Sequence, residues 1–217
     1  AIFAKDPLIF TQEITERFKI KDLGRADLLL GMKVIHHKEY IELSQSHYIN
    51  QLLAKMNCED IAPVKTPMIT KEKLTAASLE QQQDFQSRNL NYRMIVGALN
   101  YLCCTTRTDL SYAVGCLSQF LSKPGMKHWE ACIQVLRYLQ GSKDVTLKIY
   151  RCSNFDSLVA FSDAHWGNCP TSSKSISGYL IKWNNSLISW KSKKQSEIAT
   201  STTQAEYQAL SDAIKKN

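Results

Sequence analysis

The 217-residue sequence lacks any apolar run approaching the roughly 18 residues of a membrane-spanning helix, which excludes a helical span, and no membrane partner is expected. No signal peptide is visible. None of the seven cysteines (58, 103, 104, 116, 132, 152 and 169) forms a Cys-x-x-Cys pair, and the count is odd. Neither a zinc site nor a disulfide framework is therefore indicated, and reduced thiols in an intracellular chain are the simplest reading. Cytoplasm and nucleus are equally compatible with it. Cys103 and Cys104 adjoin inside an apolar helix pattern and read as core packing. A large charge imbalance is missing too. Lys and Arg exceed Asp and Glu by 27 − 20 = 7, a modest excess compatible with a polyanionic partner but shared by many ordinary proteins. The start, AIFAKD, has no Met and already resembles a strand, which points to a fragment.

What is present is a set of clear periodicities. Residues 7–19 suggest a short helix opened by Pro7, closed by the turn DLG. LLLGMKVI and YIELS are two apolar runs around HHKE and predict a β-hairpin. Tyr48, Ile49, Leu52, Leu53 and Met56 form a stripe at helical spacing, best read as core. Residues 58–90 carry Pro63, Pro67 and a Gln81–Gln82–Gln83 run, and predict a linker with one short helix. Three helices follow between 91 and 141, the second capped by Asp109, with the makings of a small bundle. VTLKIY and LVAFSD read as strands. SISGYLIKW and SLISWKSKK read as a hairpin turned at Asn184–Asn185, because Asn tolerates positive φ. A helix spanning TSTTQAEYQALSDAIKK closes the chain.

Strand alternation sets Val159, Phe161 and Asp163 on one face. A carboxylate beside two large apolar groups is costly unless it is paired or binds a cation. Glu206, Leu210 and Ala213 fall at i, i+4 and i+7, so Glu206 sits on the shoulder of a buried helix face. Acids on a strand end and on an overlying helix repel unless a cation such as Mg²⁺ lies between them. Each acid also has a plainer reading, Asp163 as a strand end and Glu206 as a helix-dipole partner. Trp190, Lys191, Lys193 and Lys194 put charge and an aromatic on one hairpin arm, suited to phosphates or to a solvated edge.

Ten blocks then stand in a single order along nearly the whole chain: FKIKDLGRADLLLGMKV, IELSQSHYINQLL, TPM, YRMIVGALNYL, TRTDLSYAVGCLSQF, HWEACIQVLRYLQG, FSDAHWGN, SKSISGYLI, ISWKSKKQ and STTQAEYQAL. In that order they resemble the reverse transcriptase and ribonuclease H region of a copia-type retrotransposon Pol polyprotein. The resemblance implies an α+β chain, a partial palm and thumb with a helical bundle followed by an incomplete ribonuclease H-like α/β domain. Residues 1–57 would be the end of the palm, with Gly31, Met32 and Lys33 in a primer-grip-like hairpin. Residues 58–90 would be a linker, 91–150 the thumb and connection, and 151–217 the start of ribonuclease H.

By the same resemblance Asp163 and Glu206 are two catalytic, Mg²⁺-binding acids of ribonuclease H. The partners would be an RNA–DNA hybrid or primer-template duplex and the rest of the Pol polyprotein. The Tyr-x-Asp-Asp turn that carries two polymerase aspartates is absent, and so are the family's later ribonuclease H acids. Asp212 lies where the family places no acid and is not promoted. His165, Thr108 and Gln204 replace residues usual in the family. The expectation is a fragment of a reverse transcriptase with ribonuclease H, inactive alone. The alternative is a non-catalytic nucleic-acid-binding or structural module of the same descent.

Overall fold

The computed structural model describes residues 14–19, 24–69, 74–151, 157–169 and 172–215. The strand expected at 1–6 and the start of the first helix lie outside these. Residues 14–17 are helical, with the Phe18 N–H donating to the Ile14 carbonyl at 2.8 Å. The chain is a mixed α and β protein, as expected at that level.

The run LLLGMKVI is not one strand. It breaks into β1 (Leu28–Leu29) and β2 (Met32–His36) around Leu30 and Gly31, which pair Leu29 with Met32. Both loop residues have positive φ, 49° and 75°, the backbone a two-residue hairpin loop needs. Leucine disfavours that conformation. The Tyr101 hydroxyl, which donates to the Leu30 carbonyl, anchors it. A Cβ on Gly31 would stand 3.3 Å from the same hydroxyl. β2 then pairs antiparallel with β3 (Tyr40–Ser44) across HHKE, as expected. β4 (Leu147–Tyr150) joins from far along the chain and adds to β3, with Tyr40 opposite Tyr150. The sheet order is β1-β2-β3-β4.

Helix α1 (Ser46–Lys55) buries Ile49, Leu52 and Leu53, the stripe anticipated from spacing. In the stretch 58–90 the helix is α2 (Leu79–Ser87), opened by a reciprocal capping box between Ser78 and Gln81. Its Phe85 is buried against Tyr92 and Trp129. The preceding residues have no strand or helix to satisfy their carbonyls. Three side chains do so instead: Gln140 bonds Glu59 O at 2.6 Å, Arg137 bonds Ala62 O at 2.9 Å and Gln134 bonds Thr66 O at 3.1 Å.

Helices α3 (Tyr92–Thr105), α4 (Ser111–Ser118) and α5 (Met126–Gly141) make the main core. Ile95, Leu99, Leu102, Leu117, Leu136 and Leu139 are fully buried, each contributing about 1.5–3 kcal/mol of transfer free energy. Asn91 caps α3 by accepting from Met94 N–H. Asp109 does not cap α4. It lies in a 3₁₀ turn, Thr108–Leu110, and its carboxylate is taken by Arg107. A guanidinium with no exposed surface needs that counter-charge more than a helix end does.

The second sheet is β5 (Leu158–His165), β6 (Ile176–Trp183) and β7 (Ser186–Lys194), antiparallel in that order. Asn184 and Asn185 turn its hairpin at φ 46° and 66°, as predicted. Helix α6 (Thr202–Ile214), capped by Ser201, packs on β5 and β6 through Ala205, Ala209 and Ala213. Tyr179 and Ile181 meet Ala213 on that face. The opposite face turns toward α3 and α4, where Trp190 Nε1–H donates to Cys103 O at 2.8 Å. The two sheets are tied by Tyr150 N–H donating to Ser186 Oγ at 2.8 Å.

Candidate functional site

Asp163 lies near the end of β5, directly opposite Gly178. Pleat alternation places Phe161, Asp163 and His165 on one face, the face away from Tyr179 and Ile181 and hence away from α6. There they line a cleft of about 500 Å³ whose other wall includes Thr108, Asp109 and Tyr112. Asp163 and His165 are exposed in it. Gly178 offers no side chain to cover the carboxylate. Glu206 is also exposed, in the first half of α6, one residue after the buried Ala205. The cleft lining does not include Glu206.

Both acids supply hard oxygens, the donor class Mg²⁺ prefers. The donor number is less favourable. Among the described residues no three His, Cys, Asp or Glu side chains cluster to hold a metal ion. Donor chemistry fits Mg²⁺, but Asp163 faces away from α6, so the described geometry does not bring the Asp163 and Glu206 carboxylates together.

Asp109 borders the same cleft but is occupied. Arg107 donates to both of its carboxylate oxygens, and the Tyr138 hydroxyl donates to Oδ2 at 2.8 Å. Burial alone would raise its pKa. The hydrogen bonds and charge of Arg107, with Tyr138, outweigh that and hold the carboxyl below its ordinary range. It is a fixed anion at the rim rather than a free donor.

The basic arm divides. Trp190 bonds α3, and Lys194 Nζ lies 3.0 Å from Gln119 Oε1 and 3.4 Å from Cys169 Sγ. Both join sheet and helices. Lys191 and Lys193 are exposed, in register with Tyr179 and Ser177. In the first hairpin Met32 is buried and Gly31 sits under Tyr101, leaving Lys33 as the exposed cation. Phe161 was legible only as an apolar neighbour of Asp163. It is 52% exposed and lines a cleft on each side of its position. Its signal was its place on the pleat face of the acid.

Among the described residues no helix is long and apolar enough to cross a membrane. Residues 7–70 match the family model described as reverse transcriptase (RNA-dependent DNA polymerase). The chain is 39% identical over 199 residues to the retrovirus-related Pol polyprotein from transposon RE2 of Arabidopsis thaliana, covering 92% of this chain and 13% of that protein. It is 34% identical to the retrovirus-related Pol polyprotein from transposon TNT 1-94 of Nicotiana tabacum, covering 94% of this chain and 16% of the relative. The putative transposon Ty5-1 protein YCL074W of Saccharomyces cerevisiae is 31% identical, covering 98% of this chain and 69% of that protein. The chain thus spans less than one fifth of the two plant polyproteins. No solved structure matches it. Order of motifs, family model and relatives agree, and the chain belongs to the Pol polyprotein family of copia-type retrotransposons.

Proposed function

We propose that this chain is the nucleic-acid-handling part of a retrotransposon reverse transcriptase that includes the start of a ribonuclease H-like domain. In this reading β1–β3 and α1 are the end of a palm with its primer-grip-like hairpin, and β4, of the thumb and connection stretch, pairs onto it. Helices α3–α5 are thumb and connection, and β5–β7 with α6 begin ribonuclease H. The parent would copy RNA into DNA and cleave the RNA of the hybrid. The observation that carries the reading is a three-stranded antiparallel sheet with Asp163 near the end of its first strand and α6, which bears Glu206, packed on the other face.

By the resemblance Asp163 and Glu206 would hold Mg²⁺, but the fold turns Asp163 away from α6, and the two acids do not share a cleft. When bound, the ion would supply Lewis-acid activation of water and of a phosphodiester. The chain's own contribution is placement. Asp163 stands over Gly178 in an open cleft, and Lys33, Lys191 and Lys193 are exposed for phosphate contact. Two carboxylates are fewer than two-metal chemistry uses. Because electrostatic stabilisation supplies much of the barrier lowering, the expected rate for this chain alone is below detection. The division of the basic arm favours a second reading, a binding module without catalysis, since exposed cations serve phosphates whether or not a metal is held.

The test is the 217-residue chain with a labelled RNA–DNA hybrid and Mg²⁺. The expected result is binding that weakens steeply with salt and no RNA fragments. Metal-dependent fragments that vanish in Asp163→Asn would show the chain to be a competent nuclease. Salt-independent binding, or none, would remove the nucleic-acid reading.

A further inference from the structure

A second cleft, of about 700 Å³, runs between the two sheets. Its lining includes three cations, Lys38, Arg151 and Lys182, against one carboxylate, Glu39. Two aromatic rings stand among them, Tyr150 at 43% and Phe161 at 52% exposure. Lys182 Nζ lies 5.8 Å from the Phe161 ring centroid, so a cation and an open ring occur side by side. Phe161 also lines the Asp163 cleft, so the two clefts adjoin at that side chain.

Exposed rings and spaced cations are the two elements by which proteins hold unpaired nucleotides: bases stack on the rings and phosphates meet the charges. A duplex keeps its bases stacked on one another and has no use for the rings. A bare polyanion would need only the cations. We propose that the inter-sheet cleft binds single-stranded nucleic acid, with bases on Phe161 and Tyr150 and phosphates at Lys38, Arg151 and Lys182, and leads that strand toward Asp163. This site rests on the nucleic-acid reading above but uses none of the residues assigned there to duplex contact.

The experiment is fluorescence anisotropy of the 217-residue chain with a labelled twelve-residue oligothymidylate across a salt series. Phe161→Ala is expected to weaken binding about tenfold by loss of one stacked base. Phe161→Tyr keeps a ring at the same place and is expected to bind as the native chain does. Lys38→Gln, Arg151→Gln and Lys182→Gln each lower the salt slope by about 0.7, the value for one single-strand phosphate. Unchanged affinity in Phe161→Ala would overturn the proposal, as would inorganic polyphosphate competing as well as the oligonucleotide. If hybrid binding persists while these variants change nothing, only this site fails. If no nucleic acid binds at all, the proposed function fails with it.

Discussion

Arg107, with no exposed surface, donates Nε to Asp109 Oδ1 at 3.0 Å and Nη2 to Asp109 Oδ2 at 2.7 Å. Its remaining donors reach Ser142, the carbonyl at 2.9 Å and the hydroxyl at 2.7 Å, at the C-terminal end of α5. One side chain therefore joins the 3₁₀ turn before α4 to the end of α5. Asp109→Ala leaves a buried charge without its partner and is expected to cost about 3–5 kcal/mol. Urea denaturation of wild type and variant checks this. A cost below about 1 kcal/mol, the range of an exposed pair, would mean the fork is ornamental.

The same pair sets an acid limit. Asp109 has a lowered pKa when folded, so it contributes stability that is complete above its unfolded value of about 3.9 and is lost as pH falls through the folded value. Melting temperature should drop between about pH 4 and lower pH in the native chain, and less so in Asp109→Asn.

His128 predicts a second pH effect at milder acidity. It is buried, accepts from Gly125 N–H at Nδ1 (2.9 Å) and donates from Nε2 to Thr75 O (3.1 Å), which requires the neutral ring. Burial lowers its pKa, although the Thr75 carbonyl, which accepts from the ring, acts the other way. The unfolded chain then binds the proton first, so stability falls as pH drops below about 6.5. Thermal melts at pH 7.5 and 5.5 should show this loss in the native chain and a smaller one in His128→Gln.

Gly125 stands where a Cβ would come within 2.8 Å of Ala77 Cβ. Gly125→Ala must displace the residues leading into α2 or the start of α5. A loss of about 1–3 kcal/mol by denaturant unfolding is expected, as for overpacking elsewhere.

Trp190 tests the seam between the second sheet and the helices. Trp190→Phe keeps most of the ring but removes the donor to Cys103 O. About 1 kcal/mol should be lost. If the seam couples the two parts, calorimetry should show the unfolding of the sheet moving ahead of the helical core.

Much of this architecture was legible because local patterns and tertiary needs coincide. The apolar stripes of α1, α3 and α5 and the Asn184–Asn185 turn each follow from spacing or φ preference. The failures share a cause. Leu30 takes a left-handed conformation because Tyr101, 71 positions away, holds its carbonyl. Asp109 abandons a cap because Arg107 is buried against Ser142. Trp190 and Lys194 bond across to the helical part because Cys103 O on α3 and Gln119 just after α4 lie within reach. None of these partners is visible at short range. At the candidate site, the two acids were found by motif, and the cation-lined cleft was not, since Lys38, Arg151 and Lys182 come from three distant segments.

The pairing of β3 with β4 closes a loop of roughly a hundred residues, and such closure carries an entropic cost that only later contacts offset. The helical core lies within that loop. The first sheet can therefore be completed only by a chain synthesised past Tyr150, and any shorter product leaves β3 with an open edge able to recruit strands from other molecules.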